Sequence, residues 1–370
     1  RAESRKVFDR ISESKNFRLH LEKLPSVVQH VVSLIKRDYP GGPETIPPHG
    51  RWNHFAPGQL EQLGKDPKKF IDLFVVSVLL DAGAGDAWRY EYQGTAVSRS
   101  EGLAVASAVM FMGGKFSQSG AAAVEAQGLQ QLTVKDLAEG LQVSSSNPLL
   151  GLEGRCAVLN KLGDVISSNE YFKSEQRPGS FLDFLESKYP DRKIPMHELW
   201  DIMNSVLLQI WPPTRTVIEG HSMGDVWWCE LTASYVPFHK LTQWLVYSLL
   251  RPLEDLAGYT VTEKFLMTGL PEYRNGGLFI DSGVLEVIDY ENLKEIMHSV
   301  DSQIVVEWRA LTIVLLDMTH EAVKKELGLP DFQLPQTLEA GTWKAGREIA
   351  RKLRPSSGGP PLQIQSDGTV

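Results

Sequence analysis

The sequence has few cysteines, no long apolar run and no excess of positive charge. Cys156 and Cys229 are its only cysteines, which excludes a disulfide framework and favours a cytoplasmic setting, with the nucleus as the alternative compartment. No apolar stretch reaches the roughly 18 residues that a membrane span needs. Lys and Arg total 38 against 46 Asp and Glu, so the net charge of −8 disfavours a protein that binds nucleic acid through its charge.

The remaining composition is typical of a globular chain, with 42% apolar and 23% charged residues. Strand–helix alternation is sparse, so we predict a mainly α fold with minor β structure. We expect one helical domain over residues 1–354, with two lobes meeting near residues 140–150, and an extended tail over 355–370. The chain starts with Arg1 rather than Met, so its native N-terminus is expected to be missing.

Apolar residues at helical spacing predict the longer elements. Helices are expected within residues 1–39, 196–211, 241–256, 302–323 and 337–353. The apolar run over residues 70–80 is compatible with a buried strand as well as a buried helix. Ser98 and Glu101 have the spacing of a capping box, which predicts a helix from there to Phe111.

Gly220-His221-Ser222-Met223-Gly224 matches the G-x-S-x-G pattern of serine hydrolases, with Asp281 or Asp301 and His320 as later triad members. The bulky residues after the motif and the lack of preceding strands favour a hairpin turn instead. His197-Glu198 and His320-Glu321 begin like a zinc motif but lack the second histidine four residues on. We therefore expect no metal site, and the hydrolysis considered below requires no organic cofactor.

Three charged segments are candidates for a site. Asp81 and Asp86 flank the glycine-rich DAGAGDAW turn, and either carboxylate can face a cleft or cap a helix end. Arg99 lies where a helix N-terminus would favour an anion, although the capping box explains the segment equally well. Glu307 and Arg309 lie in an apolar helix, where each needs a partner, either in an ion pair or in a site.

The segment Leu270-Pro271-Glu272-Tyr273-Arg274-Asn275-Gly276-Gly277 places a carboxylate, a phenol and a guanidinium on a constrained turn. A rigid site and a solvated surface turn both fit this composition. Together with GLEGRCAVLNKLG, RPGSFLDFL and TLEAGTWKAGREIA, it resembles the uracil-catabolism protein family of fungi and bacteria. The resemblance runs from RWNHF to SDGTV and implies a place in the pathway that opens the pyrimidine ring and ends in urea.

The order of motifs is also similar to that of the queuosine-nucleotide salvage N-glycosylases, whose helical fold is related to DNA glycosylases. Shared elements are Arg155 to Gly163, Gly179-Ser180-Phe181, Glu272-Tyr273-Arg274, Glu307 with Arg309, and Trp52 with His54. The salvage enzymes have Asp where this chain has Glu272. They also have a Lys-Arg pair where this chain has Trp-Trp-Cys, a departure that weakens the case for phosphate binding at that position.

This resemblance implies an N-glycosidic hydrolase that releases urea from a ribosyl-urea or its 5′-phosphate. The expected catalytic residues are Glu272, Asp81, Asp86 and His54; the expected substrate-binding residues are Trp52, Phe55, Arg99, Arg155, Tyr273, Arg274, Glu307 and Arg309. The expected partners are a small molecule and other uracil-catabolic enzymes, with no nucleic acid or membrane. Two alternatives stay open: a non-catalytic binding or scaffold protein of the pathway, and a serine esterase that uses Ser222.

Overall fold

The computed structural model describes residues 1–81, 87–212 and 215–365, and its fold is mainly α with minor β, as predicted. The α-helices of these residues, α1 to α15 in chain order, are Ala2–Asp9, Leu24–Asp38, Pro67–Leu80, Arg99–Met112, Ala126–Gln131, Val134–Gly140, Leu152–Ser168, Phe181–Lys188, Met196–Leu208, Lys240–Arg251, Tyr273–Asp281, Tyr290–Leu293, Gln303–Leu327, Leu334–Thr337 and Trp343–Leu353. Two π-helical segments, Pro252–Leu256 and Leu338–Thr342, follow α10 and α14.

Short strands pair two by two. They are Phe17–Leu19, Tyr90–Tyr92, Thr95–Val97, Lys193–Pro195, Val217–Ile218, His221–Ser222, Val226–Cys229, Ser234–Pro237, Thr260–Thr262, Leu285–Val287, Met297–His298 and Gln363–Ile364, here β1 to β12. The pairs are β1 with β10, β2 with β3, β4 with β9, β5 with β6, β7 with β8, and β11 with β12. Each sheet in the described ranges thus has two strands, and the helices supply most of the core.

The helices expected from apolar spacing are present. Helix α13 is the longest and is buried along most of its length, because apolar residues occupy more than one of its faces. It packs against α1, α2 and α11. The ambiguous run over residues 70–80 is part of helix α3, which starts at Pro67 after a cap in which the Asp66 carboxylate accepts a hydrogen bond from the Lys68 backbone N–H at 3.0 Å.

The predicted capping box of α4 is wrong. Ser98 precedes the helix but makes no side-chain cap hydrogen bond. Arg99 has a φ of 55°, in the left-handed region, so the chain does not enter the helix with capping-box geometry. The Glu101 carboxylate is engaged by Arg347 at 2.6 Å instead. A long-range ion pair has therefore replaced the local contact that the spacing predicts.

The segment around Ser222 forms hairpins. Ser222 lies in β6, which pairs with β5, and the chain continues into the β7–β8 hairpin. A hydrolase elbow would require a strand before the serine and a helix directly after it. The hairpin expectation is confirmed, and the strand-to-helix geometry of a serine esterase is not formed.

The chain beyond α15 packs onto the domain as far as it is described. Leu362 is fully buried, and β12 pairs in parallel with β11. The backbone carbonyls of Ser357 and Gly358 accept hydrogen bonds from Arg99 at 2.6 Å and from Arg274 at 2.8 Å. This segment therefore supports two of the arginines that the sequence suggested for a site. No helix among the described residues is both long enough and apolar enough to cross a membrane.

Candidate functional site

Ends of four helices bring polar and charged residues together. Asp81 follows α3, Lys240 begins α10, and Glu272 directly precedes α11. The charges of Glu272 and Asp81 both act on the ammonium of Lys240, and Ser100 of α4 donates a hydrogen bond to Asp81. Two of the carboxylates predicted from the sequence therefore lie in one polar cluster, with a lysine that sequence analysis did not select.

Glu272 is the N-cap of α11. Its two carboxylate oxygens accept hydrogen bonds from the backbone N–H groups of Arg274 at 2.7 Å and Asn275 at 2.6 Å. Burial raises the pKa of Glu272, and these hydrogen bonds and the charge of Lys240 oppose that rise. The carboxyl group is thus held rigidly in an environment where both protonation states are accessible nearer to neutral pH than for an ordinary glutamate.

Lys240 is a buried lysine without an ion pair. Its side chain is only 8% exposed, and no carboxylate in the described part of the chain lies within 4.0 Å of its ammonium. Burial lowers the pKa of Lys240, and the charges of Glu272 and Asp81 partly offset that change. Because a buried, unpaired charge costs stability, this lysine is better explained by a functional role than by the fold.

Asp81 is fixed by Arg51. The guanidinium donates to the Asp81 carboxylate at 2.5 Å and to Ser77 Oγ at 2.7 Å, and it is fully buried. Burial lowers the pKa of Arg51, and Asp81 opposes this change. The ion pair joins the short 3₁₀ helix that carries Arg51 to the end of α3, so Asp81 has a defined orientation in the cluster.

His54 lies beside this pair in a group of rings. Its centroid is 5.9 Å from those of Trp244 and Trp343 and 6.3 Å from that of His49. Burial and the charge of Arg51 lower the pKa of His54, so the imidazole is neutral at neutral pH. His49 in turn bonds the Glu339 carboxylate at 2.7 Å. His54 can thus donate or accept a hydrogen bond without carrying charge.

Tyr273, Arg274 and Arg99 border the cluster. Burial raises the pKa of the Tyr273 phenol, on which the charges of Arg274, Glu272, Arg99 and Asp81 all act. Arg274 is 5% exposed, and its guanidinium lies 5.0 Å from the Tyr273 ring centroid. These three predicted binding residues therefore share one region with Glu272.

Three other residues predicted for the site contact the backbone or the aromatic core instead. Arg155 donates to the backbone carbonyls of Leu80, at 2.8 Å, and Leu150, and burial lowers its pKa to about 10. Trp52 stacks on Phe70 with ring centroids 5.0 Å apart, and Phe55 stacks on Phe74 at 5.6 Å. Arg155 supports the backbone next to Asp81, whereas Trp52 and Phe55 pack against the aromatic side chains of α3.

Glu307 and Arg309 bind different parts of the protein. The Glu307 carboxylate accepts hydrogen bonds from Ser14 Oγ at 2.5 Å and Asn16 Nδ2 at 2.8 Å, close to the N-terminus. Burial raises the pKa of Glu307. Arg309 forms a bidentate ion pair with Asp225 and donates to the carbonyl of Pro271 at 3.1 Å. Arg309 therefore supports the residue next to Glu272, and Glu307 holds the N-terminal segment.

Asp86, the remaining predicted residue, lies outside the described residues. Across residues 1–81, 87–212 and 215–365, no three His, Cys, Asp or Glu side chains are grouped so that they could hold a metal ion.

Four further charged residues of this region were not predicted from the sequence: Lys240, Arg51, Arg347 and Arg351. Lys240 had a signal in the sequence, since it is a charged residue at the start of an apolar helix and has no obvious partner nearby in the sequence. Arg347 and Arg351 had none, because charges spaced along an amphipathic helix normally face water. Their position became visible only from the packing of α15.

The chain is similar to proteins of a known family. A family model described as "Protein of unknown function (DUF1688)" matches residues 1–370, and the chain belongs to this family. Protein urg3 of Schizosaccharomyces pombe is 44% identical over 381 residues, which cover 96% of this chain and 92% of that protein. Uracil catabolism protein 4 of Lachancea kluyveri is 42% identical over 423 residues, which cover 100% of this chain and 96% of that protein. The resemblance to uracil-catabolism proteins is therefore confirmed.

Proposed function

We propose that this protein acts in uracil catabolism as an N-glycosidic hydrolase. Its substrate is a ribosyl-urea compound left after the uracil ring has been opened, and its products are urea and the free sugar or sugar phosphate. The place in the pathway is supported by the relative named uracil catabolism protein 4. The observation that carries the chemistry is that Glu272, a rigidly held carboxylate, acts electrostatically on Lys240, a buried ammonium without a direct ion pair among the described residues.

Glu272 suits the sugar side of the reaction. Cleavage of a glycosidic C–N bond develops positive charge on the anomeric carbon and ring oxygen, and a carboxylate next to that carbon stabilises it. Two backbone hydrogen bonds fix the carboxylate before substrate binds, so no reorganisation is needed at the moment of reaction.

Lys240 suits the leaving group. Urea is a poor leaving group as an anion and needs a proton on its departing nitrogen, a contribution typically worth ~10²–10⁴-fold in rate. Burial lowers the pKa of Lys240, which makes its ammonium a stronger acid. Asp81 and His54 are the alternative donors, but Asp81 is ion-paired with Arg51 and the pKa of His54 is lowered.

The bonds and protons balance in this scheme. The C1′–N bond breaks and its electron pair goes to the urea nitrogen, which takes a proton from Lys240. A water oxygen then forms the new C1′–O bond, and Glu272 accepts the proton that the water loses. Transfer of a proton from Glu272 to Lys240, directly or through solvent, restores both groups, and the charges of these two residues already act on each other.

The test is a coupled urease assay on the purified protein with ribosylurea and its 5′-phosphate as parallel substrates. Glu272→Gln keeps the size of the side chain and an acceptor for the helix cap, and it is expected to lose roughly 10²–10⁴-fold in turnover. Asp66→Asn is the matched control, because Asp66 also caps a helix but lies at the opposite end of α3 from Asp81. Asp66→Asn should release urea at the wild-type rate.

Each outcome separates the hypotheses. Urea release that scales with enzyme and fails in Glu272→Gln supports the hydrolase. A thermal shift on adding either compound, without urea release, would instead support the non-catalytic binding protein. A fully active Glu272→Gln variant would remove Glu272 as the central group even if urea were released.

A further inference from the structure

Arginines from three helices meet beside Tyr273. Arg274 lies in the first turn of α11, Arg347 and Arg351 lie one turn apart on α15, and Arg99 begins α4. The charge of Arg347, partial burial, and the charges of Arg274 and Arg99 lower the pKa of Arg351, and the charge of Glu101 only partly opposes this change. Like charges gathered in this way repel one another, and an anion placed between them would relieve that repulsion.

Two of these arginines have buried donors without partners. The Nε–H groups of Arg274 and Arg347 are enclosed, and neither has a hydrogen-bond acceptor among the described residues. Arg274 as a whole is 5% exposed. A buried N–H group that is left unsatisfied destabilises the protein, so two of them in one place point to an acceptor that the chain does not supply.

The backbone is shaped to bring these arginines together. A Cβ atom at Gly346 would lie 2.3 Å from the carbonyl oxygen of Arg274, so only glycine lets α15 approach the start of α11 this closely. The carbonyl of Gly358 accepts from Arg274 at 2.8 Å and orients its guanidinium. Glu101 holds one nitrogen of Arg347 at 2.6 Å and leaves its Nε–H available.

We propose that Arg274, Arg347 and Arg351 form a binding site for a phosphate monoester, with Arg99 adding positive charge at its edge. A guanidinium binds phosphate oxygens through parallel N–H groups, which suits a dianion better than a neutral sugar hydroxyl. Tyr273 and Glu272 directly precede Arg274 in the chain, so the site adjoins the proposed catalytic carboxylate. The substrate would then be a ribosyl 5′-phosphate, and this assignment rests on the proposed function. The phosphate site itself rests on the arginines alone and does not depend on the proposed function.

Binding can be measured without turnover. Isothermal titration calorimetry on the full chain would compare ribose 5-phosphate, inorganic phosphate and ribose. We expect ribose 5-phosphate to bind and ribose to bind much more weakly. Arg351→Gln and Arg347→Lys should each weaken ribose 5-phosphate binding by about 10- to 100-fold, the range for lost hydrogen bonds to a charged group. Arg351 is exposed and its replacement should not disturb folding.

Arg10→Gln is the matched control, because Arg10 is exposed, directly follows α1 and forms an ion pair with Glu13, three residues on. It should bind ribose 5-phosphate like the wild type. Equal affinity for ribose and ribose 5-phosphate, or unchanged affinity in both arginine variants, would overturn the phosphate site. Binding of ribose 5-phosphate without urea release from either substrate would support the phosphate site and reject the hydrolase. Urea release without any preference for the phosphorylated substrate would support the hydrolase and reject the phosphate site.

Discussion

The guanidinium of Arg309 donates hydrogen bonds to both carboxylate oxygens of Asp225, at 2.7 and 2.8 Å, in the interior of the protein. Both side chains are almost completely buried, at 2% and 1% exposure. Asp225 also accepts a hydrogen bond from the backbone N–H of Lys240 at 3.1 Å. The pair therefore fixes the start of α10, from which Lys240 extends into the candidate site.

Breaking this pair should destabilise the protein strongly. Asp225→Asn leaves the charge of Arg309 buried without its counter-charge, and we expect a loss of about 3–5 kcal/mol in the free energy of unfolding, measured by urea titration. Arg10→Gln, which breaks an exposed pair, should leave the free energy of unfolding almost unchanged. Equal changes in the free energy of unfolding would show that the buried pair stabilises the protein no more than the exposed pair does.

Replacement of Lys240 should raise stability and lower activity together. Lys240→Met removes a buried charge that has no direct ion pair, so the free energy of unfolding should increase by about 1 kcal/mol or more. Urea release should fall by ~10²–10⁴-fold because the proton donor is lost. Lys264→Met is a suitable control, since Lys264 pairs with Glu254 at 2.7 Å, and it should not stabilise the protein. A destabilised Lys240→Met variant would contradict the functional interpretation.

Mild acid should weaken the fold through His320. Burial lowers the pKa of His320 from 6.5 to about 4, and its Nδ1 lies 2.7 Å from Thr337 Oγ1. The unfolded chain takes up a proton as the pH falls through 6.5, whereas the folded protein does so only near pH 4. The free energy of unfolding should therefore fall by about 3 kcal/mol across this interval through this one residue. Chemical denaturation at several pH values should show a smaller fall in His320→Gln; an identical fall would reject this assignment.

Gly346 should not tolerate alanine. The added methyl group would meet the carbonyl oxygen of Arg274 at 2.3 Å and force α15 away from α11. We expect a loss of about 1–3 kcal/mol in stability and a weaker binding of ribose 5-phosphate, by thermal denaturation and calorimetry. Gly154→Ala in α7 has open space around it and should stabilise the helix by about 0.5–1 kcal/mol. If Gly346→Ala changed stability in the same way as Gly154→Ala, the close packing of α15 against α11 at Gly346 would be refuted.

Apolar spacing was sufficient to predict the long helices. It predicted α13, in which Trp308 and Leu311 are buried. It did not decide between helix and strand for α3, because a run of residues that are all apolar shows no periodicity. The Ser222 hairpin was also predictable, since bulky tryptophans follow the motif. What these elements have in common is that local sequence determines them.

The candidate site was only partly predictable, because long-range contacts build it. Glu272 and Arg274 belong to one motif, and the sequence could mark them together. The pairing of Glu101 with Arg347 joins residues 246 positions apart, and no local pattern indicates it. Glu307 and Arg309 looked like one motif but serve two distant segments, since residues two apart on a helix point in different directions.

The hydrogen bonds from Arg99 to Ser357 and from Arg274 to Gly358 span 258 and 84 positions of the chain. During synthesis, a nascent polypeptide that has emerged only as far as α13 already holds both arginines but not the carbonyls that orient them. Gly346 of α15, which lets that helix pack closely against α11, is also synthesised after α13. Competence to bind an anion at the proposed arginine site should therefore appear only after Gly358 has left the ribosome.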